Sequence, residues 1–139
     1  MSGSLKIKVD CRVSGPLASG EADRAAQDWA TNTTQAIADQ GVELLRTFPG
    51  MDRTGRARGG FQQLLRVKRI SPTETRIPGP QQRGVAWSPW LEGTSSRNDS
   101  TGFKGYHLFR KTRATLAKMA PGIADEELDK VLPRMGGGG

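Results

Sequence analysis

Apolar and charged residues alternate over residues 5–13, with Leu5, Ile7, Val9 and Cys11 on one side and Lys6, Lys8, Asp10 and Arg12 on the other. A period of two predicts a half-buried strand with a charged outer face. Ser14-Gly15-Pro16 ends it. The period then changes. Ala22, Ala26, Trp29, Thr33, Ile37, Leu44 and Phe48 recur at spacings of three, four or seven, which predicts one long helix over residues 20–48. Ser19 suits its cap, Glu21 and Asp23 its positive end, and Arg46 its negative end. Gly41 is a weak point, costing about 1 kcal/mol relative to Ala. Pro49-Gly50 stops the helix. The stripe is narrow and Ala-rich, so it suits close packing against a sheet or a neighbouring subunit.

Residues 49–60 are a Gly- and Arg-rich loop with no apolar run to bury. Five Gly or Pro in its twelve residues predict a loop that is mobile in the free subunit and ordered in an assembly. Alternation returns over residues 61–70: Gln63, Leu65 and Val67 share one face, Arg66 and Lys68 the other. Ser71-Pro72 makes a turn, and residues 73–77 return as an antiparallel strand. Pro78-Gly79-Pro80 ends that strand, and Val85-Ala86-Trp87 supplies a short third segment of the sheet. A helix follows over residues 106–119, with Leu108, Phe109, Leu116 and Met119 for burial, and Pro121-Gly122 breaks it. A final short helix covers residues 125–132, with Asp125, Glu126 and Glu127 in its first turn. Consecutive strands after a helix argue an α+β fold: a long N-terminal helix packed on a small antiparallel sheet, with C-terminal helices. Residues 1–135 read as a single domain and residues 136–139 as a flexible Gly tail.

Composition narrows the function. The 139 residues carry 21 Lys and Arg against 14 Asp and Glu, a net charge of +7. Such a balance favours an anionic partner, nucleic acid or an acidic protein surface. No stretch reaches the roughly 18 apolar residues of a membrane span. No apolar run marks a signal peptide, so assembly in a reducing cytoplasm is expected. One cysteine, Cys11, excludes an intrachain disulfide and a Cys-based zinc site. One histidine, His107, leaves little from which to build a triad or a zinc hydrolase. No catalytic residue, metal ligand or cofactor site is expected.

Two basic clusters stand out: Arg53, Arg56, Arg58, Arg66, Lys68 and Arg69, then Arg97, Lys104, Arg110, Lys111, Arg113 and Lys118. Acids gather on the long helix and near residues 125–129. Segregated signs permit head-to-tail contacts in a ring, or contact with DNA phosphates. Trp87 and Trp90 flank Pro89, and such a pair can bury one ring and present the other at an interface. Glu92 follows this apolar run. A carboxylate there fits two roles: an acid with a raised pKa, or a group paired to an Arg or Lys or hydrogen-bonded to the following loop. No second carboxylate lies near it in sequence, so pairing is expected.

The run Trp87-Ser88-Pro89-Trp90-Leu91-Glu92-Gly93-Thr94-Ser95-Ser96-Arg97-Asn98, followed by Phe103-Lys104-Gly105-Tyr106 and Phe109-Arg110, resembles a segment of small neck proteins of long-tailed bacteriophages, those of actinobacteria above all. These are distantly similar to the tail-completion family of lambdoid phages, which has a long helix, a small antiparallel sheet, an aromatic–Glu–Gly-Thr turn and a C-terminal helix. The match covers about 25 residues. Gly102 stands where the pattern has Arg.

The resemblance implies a structural virion protein without enzymatic activity. It would form a homo-oligomeric ring in the neck, between the portal or head-completion complex and the tail tube, around a DNA channel. Its role would be tail completion or head-to-tail connection; a tail terminator of the same neck and a basic DNA-binding protein are the alternatives. Its partners would be copies of itself, neighbouring neck, portal-side and tail-tube proteins, and genome DNA held only weakly, with no membrane and no small molecule. Arg53, Arg56 and Arg58 would line the lumen or contact a partner.

Overall fold

The computed structural model describes residues 4–10, 20–48, 64–82, 85–86, 92–93, 102 and 104–135. The elements run β1 (Leu5–Lys8), α1 (Gly20–Arg46), β2 (Lys68–Ser71), β3 (Glu74–Ile77), β4 (Gln81–Gln82), β5 (Val85–Ala86) and α2 (Leu108–Met135). The class is α+β, as the pattern predicts.

The main sheet is antiparallel, in the order β1-β3-β2. Leu5 lies opposite Ile77 and Ile7 opposite Thr75. Leu5, Ile7, Thr75 and Ile77 are buried, while Lys6, Lys8 and Arg76 face outward. A backbone bond from Val9 N–H to the Thr73 carbonyl, 2.9 Å, continues the pairing past Lys8. Val9 and Asp10 are outside β1, and residues 11–13 of the expected strand, Cys11 among them, lie outside the described residues, as does the Ser19 cap.

The buried face of α1 is broader than the stripe read from the sequence. It includes Ala25, Ala30, Thr34, Ala38, Val42 and Leu45, whereas Trp29, Leu44 and Phe48 are half-buried at its margin. Small residues dominate, so the sheet approaches α1 closely. Gly41 is a contact position as well as a glycine within the helix: a Cβ there would stand 2.9 Å from Ile77 Cδ1 and 3.0 Å from Leu116 Cδ1. Gly41→Leu is therefore expected to cost about 3 kcal/mol by overpacking. Gly41→Ala should stay within about 1 kcal/mol of the parent, because gained helix propensity offsets the shift of two methyl groups. Urea unfolding of the pair checks this, and a tolerated Leu would refute the close approach.

Polar clasps fix the sheet to α1. The Arg69 guanidinium donates to the Thr31 carbonyl at 3.0 Å, the Ser71 carbonyl at 2.8 Å and Thr34 Oγ1 at 3.2 Å. Thr75 Oγ1 donates to the Thr34 carbonyl at 3.0 Å, and Thr31 Oγ1 to the Pro72 carbonyl at 2.8 Å. Arg69, assigned to a basic surface cluster from sequence, thus serves the fold.

Three expectations need correction. Residues 61–63 of the expected strand 61–70 lie outside the described residues, and of 64–70 only 68–70 enter a strand, joined by Ser71. Leu65 is instead drawn fully into the core, and its carbonyl accepts Arg46 Nη2 at 2.9 Å, which takes residues 65–67 off the ladder. Val85-Ala86 does not join the main sheet. It pairs with Gln81–Gln82 in a separate two-stranded ribbon. Pro78 and Pro80 offer no N–H, so the chain cannot continue β3 and turns away.

The third correction concerns the C-terminus. One helix runs through Pro121 where two were expected. A proline there deprives the Ala117 carbonyl of its helical donor. Ala117, Pro121 and Gly122 are all exposed, so water can take that place. The other side is held by α1. Leu116 and Val131 are buried, Ala120 and Ile123 pack on the core, and Trp29 Nε1–H donates to the Ala124 carbonyl at 2.9 Å. Asp125, Glu126 and Glu127 therefore sit mid-helix and not in a first turn. Near the end, Arg134 bridges to Glu21 at 2.8 Å and Asp28 at 2.7 Å, so α1 and α2 run antiparallel. Arg134, then Arg24, holds the Glu21 carboxyl below its usual range. Among the described residues, no helix is long and apolar enough to cross a membrane.

Candidate functional site

The two halves of the motif meet at the start of α2. A helix begins with four N–H groups that lack helical partners, and its first turn favours negative charge. The first turn of α2 contains no acid. His107 precedes it with φ of 53°, and its carbonyl accepts the Lys111 N–H at 2.9 Å, which makes His107 the cap residue. The cap side chain, however, comes from elsewhere in the chain. Glu92 Oε1 accepts the Phe109 N–H at 2.8 Å and Oε2 the Arg110 N–H at 3.0 Å. These are the second and third N–H groups of the helix, the usual targets of a capping side chain. The carboxylate adds charge to both bonds.

Glu92 is only 3% exposed. Among the described residues no Lys or Arg side chain pairs with it, and its partners there are backbone donors. The physical reason is the position: a carboxylate at a helix N-terminus finds both hydrogen bonds and positive potential without a cation.

Two glycines allow this approach. Gly93 has φ of 100° and Gly105 of 84°, conformations that side-chain-bearing residues rarely adopt. Their backbones lie one on the other. A Cβ on Gly105 would collide with Gly93 N and Cα and the Glu92 carbonyl carbon. One on Gly93 would collide with the Lys104 carbonyl oxygen. Tyr106 packs against the core, and Leu108 and Phe109 are fully buried, so the knot is anchored from below.

Glu92, Gly93, Gly105, Tyr106, Phe109 and Arg110 are thus brought together, with Lys104 at the rim and exposed. Trp87, Pro89, Trp90, Leu91, Thr94, Ser96, Arg97, Asn98 and Phe103 lie outside the described residues. So do Arg53, Arg56 and Arg58 with the whole 49–60 loop, and the 136–139 tail. The arrangement can hold two chain segments in a fixed relation. Both Glu92 oxygens are already engaged by amides of its own chain. Among the described residues, no group of three or more His, Cys, Asp or Glu could hold a metal ion.

The structure also sorts the charges. Arg110, Lys111, Arg113 and Lys118 are exposed along the first half of α2, and Asp125, Glu126 and Asp129 along the second. On the outward sheet face, Lys6 lies opposite Arg76 and Arg76 opposite Lys68. Neither Lys6 nor Arg76 belongs to a cluster visible in the sequence. They are 70 positions apart, and only strand register brings them together. No family model, no curated protein and no solved structure matches the chain.

Proposed function

We propose that this chain is a structural subunit of a bacteriophage neck, of the tail-completion or head-to-tail connector kind. It forms a ring that joins the portal side of the head to the tail tube and leaves a DNA channel. The observation that carries this reading is the use made of the motif. Of the residues on which the resemblance rests, Glu92-Gly93 and Lys104-Gly105, with the amides of Phe109 and Arg110, build a cap that locks a turn to the start of a helix. A motif spent on architecture suits a scaffold whose surfaces, not a reactive centre, do the work. The element order supports the same reading: a long helix on a small antiparallel sheet with a C-terminal helix is what the resemblance implies.

In this role the subunit works within the virion, after assembly in the host cytoplasm. It contacts copies of itself, neighbouring neck proteins and tail-tube proteins. Genome DNA passes through with weak, sequence-independent contact, because each phosphate neutralised on the way would add affinity and slow the passage. Removing the gene from the phage that encodes it tests the proposal. DNA-filled heads and free, unjoined tails should accumulate. Normal joined particles would overturn it.

A further inference from the structure

The outward face of the three-stranded sheet carries cations in register. Lys6, Arg76 and Lys68 stand side by side across β1, β3 and β2, and Lys8 follows Lys6 on the same face. All four are exposed. Neighbouring strands lie about 4.8 Å apart, so three cations share roughly 10 Å. Like charges directly opposite one another oppose folding. Glu74 pairs with Arg76 at 2.8 Å and lies opposite Lys8 in the register, which leaves Lys6 and Lys68 opposite Arg76 alone. Among the described residues, Lys6, Lys8 and Lys68 have no carboxylate within ion-pair reach.

The complementary charge lies at the far end of the helix pair. Asp125, Glu126 and Asp129 are exposed, and their helical positions fall within an arc of about 100°. Nearby cations are already engaged: Lys130 by Glu127 at 2.9 Å, and Arg134 by Glu21 and Asp28. Among the described residues, Lys6 and Lys68 on the sheet face and Asp125, Glu126 and Asp129 on α2 thus have no ion-pair partner, and the two groups lie on different parts of the surface.

We propose that the outward sheet face docks the acid-bearing C-terminal half of α2 from a second copy of this chain, head to tail. Such a contact is heterologous, and it closes into a ring when the rotation between copies permits. The closure rests on the neck reading above; the contact does not.

Two doubly charge-reversed variants test it: Lys6→Glu with Lys68→Glu, and Asp125→Lys with Asp129→Lys. All four positions are exposed, and circular dichroism checks that each variant folds. Sedimentation velocity at low salt should detect self-association of the parent that weakens as salt rises. Each variant alone should associate about tenfold more weakly. An equimolar mixture of the two should regain the parent's association, since reversed face meets reversed end. A mixture no larger than its separate components would overturn the proposal, as would a parent that shows no association at low salt. If the lysine variant loses retention of a short DNA duplex while its sedimentation matches the parent, the row serves phosphates and the proposal falls. Lys→Gln and Asp→Asn pairs replace any reversed variant that misfolds, with the same loss expected on each side. Rescue in the mixture together with absence of the chain from virions would keep this contact and remove the neck reading.

Discussion

Replacing Glu92 with alanine is expected to lower the unfolding free energy by about 3 kcal/mol. The side chain is buried, and its two oxygens hold the Phe109 and Arg110 amides at 2.8 and 3.0 Å. Alanine would leave both amides without that partner, the first of them buried, and would remove the negative charge from the start of α2. A buried donor left unmade costs about 1–3 kcal/mol, and a charge-assisted bond is worth more than a neutral one. Glu92→Gln keeps one acceptor but turns an NH2 toward the second amide, so a loss of about 2 kcal/mol is expected. Urea unfolding measures both. Hydrogen exchange at Phe109 and Arg110 should quicken selectively in the alanine variant. A loss under about 1 kcal/mol for alanine would mean that the cap does not hold the helix.

The second large effect belongs to Gly105. A methyl group there must adopt φ of 84° and meets the backbone of Gly93 and Glu92. The conformation alone costs about 1–2 kcal/mol. Relieving the collision means parting residues 92–93 from 104–105, which pulls Glu92 off its amides. The sum is on the order of 4 kcal/mol. Gly102 is the control. Its φ is 73°, but nothing lies within 4 Å of a Cβ built on it. Gly102→Ala should therefore cost only the conformational part, about 1 kcal/mol. Thermal unfolding of the two variants side by side separates strain from collision. Equal losses would show that the stacked backbones do not matter.

The sequence revealed the parts of this protein that rest on local periodicity. Alternation at Leu5 and Ile7 marked β1, and the repeat from Ala22 to Ile37 marked α1. The turn at Ser71-Pro72 separated two strands, and the structure places it one residue on, at Pro72-Thr73. What remained hidden depends on distant partners. Local rules end a helix at Pro121-Gly122, but α1 meets α2 on both sides of that point, at Leu116 beside Gly41 and at Ala124 and Arg134 beyond it. Glu92 was identifiable as a carboxylate that needs a partner. Its partner lies 17 and 18 residues away in backbone amides, which no side-chain pattern reports. Gly41 reads as a helix fault until Ile77 and Leu116 are placed against it. The cation row across Lys6, Arg76 and Lys68 exists only once register is known. One cue was available: Glu-Gly and Lys-Gly-Tyr, twelve residues apart, pair a glycine with each half of the cap.

The central claim is that this chain is a ring subunit of a phage neck. A reconstruction of the neck region of whole particles tests it most directly. The account predicts density for this fold, with its long antiparallel α1–α2 pair against a three-stranded sheet, repeated in a closed ring between portal and tail tube around an open channel. Finding the particles without this chain, or finding it in the capsid shell or along the tube, would contradict the account.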